Sequence, residues 1–112
     1  MRLAIDYVEF GSPDLAASRA FFEKALGWSF TDYGPDYVAF DKAGIAGGFT
    51  RAKDATWPLV ILYADDLDAA EAAVRGAGGE VVKPQFDFPG GRRFHFREPG
   101  GNVLAVWSKR EE

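Results

Sequence analysis

Residues 59–79 read LVILYADDLDAAEAAVRGAGG, and this stretch decides the fold. Leu59 to Ala64 is a short apolar run rich in branched side chains, the pattern of a buried strand. Asp65 and Asp66 supply an acidic helix start. Leu67, Ala70, Val74 and Ala77 then recur at steps of three, four and three, which sets them on one helical face. Gly78-Gly79 ends the segment. The same pattern stands 52 positions upstream, where Leu15, Ser18, Phe22 and Ala25 repeat the steps and Gly27 is the stop. Ser12 is the expected N-cap there, with Pro13 at the first helical position. An alternating strand, Leu3 to Phe10, precedes it. The offset sets Leu59 opposite Tyr7 and Ile61 opposite Glu9.

Three short strand patterns follow each helix. In the first copy they are Trp28 to Tyr33, Tyr37 to Phe40 and Ile45 to Thr50. In the second they are Glu80 to Lys83, Arg92 to Arg97 and Asn102 to Trp107. The chain is therefore predicted to be α+β, a tandem βαβββ repeat within one domain, residues 1–112. Module one is expected over 1–51 and module two over 57–109, with Arg51 to Thr56 as the connection.

Strand parity separates two sets of side chains. Val8, Phe10, Val60, Leu62, Phe94, Phe96, Leu104 and Val106 form an apolar set that faces the helices. Tyr7, Glu9, Leu59, Ile61, Tyr63, Arg93, His95, Val103, Ala105 and Trp107 face the other way. The second set mixes aromatic, aliphatic and charged groups, which suits a concave pocket better than a sealed core. Two curved modules side by side are expected to place it around a shared cleft, as an incomplete barrel.

Composition narrows the function. The chain has 112 residues, 47% hydrophobic and 27% charged, the balance of a globular protein. It contains no cysteine, so disulfides and zinc–cysteine sites are excluded. No apolar run reaches the ~20 residues of a membrane helix. The opening MRLAIDYVEF alternates and carries two acids, unlike a signal peptide, so a cytoplasmic location is expected. A net charge of −4 argues against nucleic acid as a partner.

The hairpin from Phe88 to Trp107, FPGGRRFHFREPGGNVLAVW, holds the only histidine, His95. Its imidazole is a candidate acid/base or ligand contact. Glu9 is an acid on the inner face that needs a partner there, with Arg93 or His95 available. Arg93 offers a planar fork for an anion. Tyr7, Tyr63 and Trp107 could stack on a planar ligand. The Phe86 to Gly91 segment reads as a glycine-rich turn, with a mobile lid as the alternative.

Three segments carry a family resemblance: DYVEFGSPDLAASRAFFEKALGW, YADDLDAAEAAVRGAGGEVVKP and REPGGNVLAVW. They resemble the vicinal oxygen chelate superfamily, which includes glyoxalase I, the fosfomycin- and bleomycin-resistance proteins and the extradiol dioxygenases. The resemblance implies the paired βαβββ fold and a homodimer. It also implies four metal-binding positions, which fall on Tyr7, the Ala46-Gly47-Gly48-Phe49 stretch, Leu59 and Ala105. None of these is a His, Glu or Gln, so no metal and no other cofactor is expected. The leading expectation is metal-independent binding of a small amphipathic molecule. Tyr7, Glu9, Leu59, Ile61, Tyr63, Arg93, His95 and Trp107 are the candidate contacts. One alternative is a lyase or isomerase acting on a small carbonyl compound, with Glu9 and His95 as acid/base. Another is a metal-dependent lyase with relocated ligands. Whether the chain is an enzyme stays open at this point.

Overall fold

The computed structural model describes residues 3–54 and 58–110. Its elements are β1 (Leu3–Ser12), α1 (Leu15–Leu26), β2 (Ser29–Asp32), β3 (Tyr37–Asp41), β4 (Ala46–Arg51), β5 (Leu59–Ala64), α2 (Leu67–Gly76), β6 (Glu80–Phe88), β7 (Gly91–Arg97) and β8 (Val103–Lys109). This is the expected α+β order, βαβββ twice. The end of the expected connection and residue 57, where module two was placed, lie outside the described residues. The chain divides into two compact units, Tyr7–Leu59 and Met1–Asp6 with Val60–Glu112. Each is built on a mixed four-strand arrangement.

In the unit Tyr7–Leu59 the strands run in the order β2-β3-β4-β1. β1 and β4 are parallel, and the other pairs are antiparallel. A parallel pair needs a long crossover, and α1 with β2 and β3 supplies it. The core is Leu15, Val38, Phe40 and Phe49, with Phe10, Phe22, Trp28 and Phe30 packed against it. Phe22 stacks on Trp28 at 4.7 Å, and Trp28 meets Phe40 at the same distance. The start of α1 differs from expectation. Asp14, not Ser12, is the N-cap, and its carboxylate accepts from Ala17 N at 3.0 Å. Ser12 ends β1 instead, and its Oγ accepts from Asp14 N at 3.1 Å and bonds Ser18 Oγ at 2.7 Å. The cap stands two residues later than expected, because Ser12 Oγ is taken up by Asp14 N and Ser18 Oγ. Ala25 is exposed, so the buried stripe of α1 is shorter than its spacing suggested.

Gly47 and Gly48 matter to this unit because two aromatic rings lie across β4, one on each face. A Cβ on Gly47 would strike the Phe40 ring and the Val8 carbonyl oxygen. One on Gly48 would strike the Tyr37 hydroxyl.

The other unit has the strand order β5-β8-β7-β6. β5 and β8 are parallel, and β8, β7 and β6 pair antiparallel. Ala64, Leu67, Ala70, Phe94 and Val106 form its core, with Leu62, Val74, Val81 and Phe96 around them. Asp66 caps α2 by accepting from Ala69 N at 3.0 Å. The helix ends at Gly76, and Ala77 is an exposed C-cap rather than part of the stripe. β6 continues to Phe88, well past the expected end at Lys83. Register shifts between Val81 and Lys83 and between Lys83 and Phe86 hid its periodicity. Pro84, which has no N–H to donate, sits in the second of them. The Phe86 to Gly91 segment is therefore strand, tight turn and strand. Glu98 accepts from Gly100 N at 2.5 Å, Asn102 N at 3.0 Å and Asn102 Nδ2 at 2.5 Å. These bonds lock the turn into β8 and hold the Glu98 carboxyl below the usual carboxylate range.

The crowding on β4 sets an order of damage. Gly47→Ala is expected to destabilise more than Gly48→Ala, because it meets backbone oxygen as well as a ring. Overpacking of this kind costs about 1–3 kcal/mol. Urea unfolding curves of the two variants check the ranking.

Candidate functional site

The pairing of β6, β7, β8 and β5 sets two rows of side chains across one face of the unit that holds His95. Lys83, His95, Ala105 and Ile61 are successive register partners. Phe86, Arg93, Trp107 and Tyr63 are the next row. Ala105 and Ile61 are buried, while His95, Phe86, Arg93, Trp107 and Tyr63 are half-buried. The second row is an aromatic wall. Trp107 meets Tyr63 edge to face at 4.9 Å and Phe88 at 6.1 Å. The Arg93 guanidinium lies 5.4 Å from the Phe86 ring centre and 5.6 Å from that of Phe88. Trp107 Nε1 donates to Asp6 at 3.1 Å, which fixes the indole plane.

His95 sits beside this wall, its ring 5.8 Å from Phe86. Burial, then the charges of Arg93 and Lys83, push its pKa down to about 4. The imidazole is therefore neutral at pH 7. Its Nε2 is buried and has no hydrogen-bond partner among the described residues.

A second group lies in the unit Tyr7–Leu59. Tyr7 and Glu9 share a face of β1, opposite Ala46 and Gly48 of β4. The Tyr37 side chain reaches across Gly48, donates to Glu9 Oε2 at 3.2 Å and bonds the Tyr7 hydroxyl. Burial, with Tyr7 and Glu9 beside it, pushes the Tyr37 phenol well above the ordinary tyrosine range. Glu9 thus has a phenol as partner within its unit.

The structure brings Ile61, Tyr63, Arg93, His95 and Trp107 together in one unit and Tyr7 with Glu9 in the other. Leu59 opens β5, half-buried, on the same strand face as Ile61 and Tyr63. Sequence reasoning missed Tyr37, Lys83, Phe86, Phe88 and Asp6. The signal for Tyr37 was the Gly47-Gly48 pair, which marks a close approach on β4. The signal for Phe86 and Phe88 was obscured by the two register shifts.

The four positions that the superfamily uses for metal do not fit a divalent ion here. Ala105 is aliphatic, and its β5 neighbour in register is Ile61, two residues beyond Leu59. The β4 stretch offers no side-chain donor. Tyr7 is a weak ligand while its phenol keeps its proton. Among the described residues no group of three or more His, Cys, Asp or Glu side chains is placed to hold a metal.

Comparison with known proteins defines the family. The model of the Glyoxalase/Bleomycin resistance protein/Dioxygenase superfamily matches residues 4–106. The anthracycline biosynthesis protein DnrV of Streptomyces peucetius is 33% identical over 92% of this chain, which covers 46% of that protein. The chain thus spans about half the length of this relative. The Mn(II)-bound glyoxalase of Novosphingobium aromaticivorans superposes with a TM-score of 0.74 at 26% identity, covering 97% of this chain and 41% of that one. Methylmalonyl-CoA epimerase of Mycobacterium tuberculosis superposes with a TM-score of 0.79 at 14% identity, covering 96% and 89%. The tandem βαβββ units and the family match lead to one conclusion: this chain belongs to the Glyoxalase/Bleomycin resistance protein/Dioxygenase superfamily.

Proposed function

We propose that the chain binds a small planar amphipathic molecule against the aromatic wall of β5–β8, without a metal ion. The observation that carries this reading is the row Phe86, Arg93, Trp107 and Tyr63. Flat rings and a planar cation in one row offer stacking area at low cost in side-chain entropy. The relative DnrV is named for anthracycline biosynthesis, so a polycyclic aromatic compound is the first ligand class to try. Metal independence is supported by the donor chemistry at the four positions. We further propose a cytoplasmic homodimer.

A second reading is a lyase or isomerase acting on a carbonyl compound, with His95 as acid/base. The buried, unpartnered Nε2 of His95 favours it. The low pKa of the imidazole weakens it, because a base that titrates near pH 4 drives proton abstraction poorly at neutral pH.

Fluorescence tests the binding reading. A hydroxyanthraquinone is expected to quench the tryptophan emission, and EDTA is expected to leave the quench unchanged. Trp107→Phe should remove most of the quench. Arg93→Ala should weaken binding about 5- to 20-fold through the lost ring contacts. Saturable binding that depends on an added divalent ion would reject the metal-free part.

The His95 environment also makes stability depend on pH. The folded pKa of about 4 lies below the ordinary histidine value of 6.5. Between these values the unfolded chain holds a proton that the folded chain does not. The contribution is therefore complete above pH 6.5 and is lost as pH falls toward 4. With allowance for partial exposure it amounts to about 1–2 kcal/mol. His95→Gln should lose less stability than the wild type between pH 7 and pH 4.5. As the only histidine, His95 gives one imidazole NMR resonance, which should titrate near pH 4.

A further inference from the structure

We propose that the ligand carries an acidic group, a carboxylate or similar anion, and that Lys83, His95 and Arg93 receive it at the β6–β7 edge of the wall. The inference rests on the planar-ligand reading above and narrows its chemical class.

Three observations point the same way. Lys83 is the register partner of His95, so its stem and the imidazole leave the sheet on one face. Its ammonium lies 4.5 Å from the Phe86 ring centre, and the Arg93 guanidinium lies 5.4 Å from the same ring. The Lys83 ammonium at this ring offers an anion a charge partner. Among the described residues Lys83 makes no ion pair with a carboxylate, in contrast to Arg92 and Arg97 on the same hairpin, which bond Asp87 and Glu80. The third observation is the His95 Nε2 atom, buried and without a partner among the described residues. A neutral imidazole can carry its one hydrogen on that nitrogen and donate it to an oxyanion. A buried donor left without a partner is costly, so an acceptor supplied by the ligand gains that cost back on binding. Burial, with the Arg93 and Lys83 charges beside it, holds His95 neutral, which makes it a directional hydrogen-bond donor rather than a third cation. Phe86 ties the pieces together. The ring that carries both cations is also the end of the stacking row, so an acid attached directly to a flat ring system reaches all three groups.

A lysine on an outer strand also has a plain structural use, since it discourages pairing with other sheet edges. That use predicts no dependence on ligand charge, and this separates the two roles.

The test compares 2-naphthoate with 2-naphthamide, which share shape and ring system and differ in charge. The wild-type chain is titrated with each by tryptophan fluorescence. Naphthoate is expected to bind about tenfold tighter. Raising salt from about 0.05 M to about 0.5 M should weaken naphthoate and leave naphthamide nearly unchanged. Lys83→Gln should cut the preference to about threefold, and Lys83→Arg should restore it. Lys83 is exposed on β6, so these variants keep the fold. Equal binding of the two probes, or a preference unchanged in Lys83→Gln, overturns the acidic-group inference and leaves the planar-ligand reading standing. Failure of both probes to bind removes both.

Discussion

The parallel pairing of β5 with β8 is the constraint from which the wall follows. It sets Ile61 beside Ala105 and Tyr63 beside Trp107. The antiparallel pairing of β8 with β7 then adds His95 to the first row and Arg93 to the second. A slip of one residue in either pair would turn every one of these side chains to the opposite face. The register is protected because the opposite face is the core. Phe94 and Val106 alternate with the wall residues and are fully buried under α2. Burying a side chain of that size contributes about 1.5–3 kcal/mol, so the core enforces the pairing and the pairing positions the site.

Both units solve the same problem in different chemistry. Each joins its first and last strands in parallel and fills one face with a helix. In the unit Tyr7–Leu59 the core is a cluster of aromatic rings. The rings need space, and two glycines on β4 supply it. In the other unit the core is smaller and more aliphatic, and α2 approaches the sheet through alanine at position 70. The polar faces differ in the same way. One carries a hydrogen-bonded pair of phenols with a carboxylate, and the other carries cations, an imidazole and rings.

The sequence made the architecture legible because helix and strand periods are properties of short windows. The three-four spacing of Leu67, Ala70 and Val74 survived into the structure, and so did the parity of Phe94, Phe96 and Val106. Helix ends were less legible, since Asp14 and Ser12 are both good caps and local pattern does not choose between them. The site was legible in part. His95, Arg93 and Trp107 share a strand parity that any reader of alternation finds. Phe86 and Lys83 do not, because an extra residue in β6 shifts the alternation that would have announced them. Tyr37 lay beyond local pattern altogether. Its contact with Glu9 crosses β4 and depends on a missing Cβ there.

The bond from Trp107 to Asp6 closes a span of 101 residues. Residues 3–6 group with the unit whose last strand is β8, although β1 is made long before it. During synthesis the Asp6 carboxylate waits for β8 before the indole it holds is available. The unit Tyr7–Leu59 contains its own first and last strands and can close early. The other must wait for Asp6 and Trp107 to meet, and contacts of such separation slow folding because the loop entropy is lost before the contact forms. The indole that shapes the ligand wall is thus among the last groups to find its place.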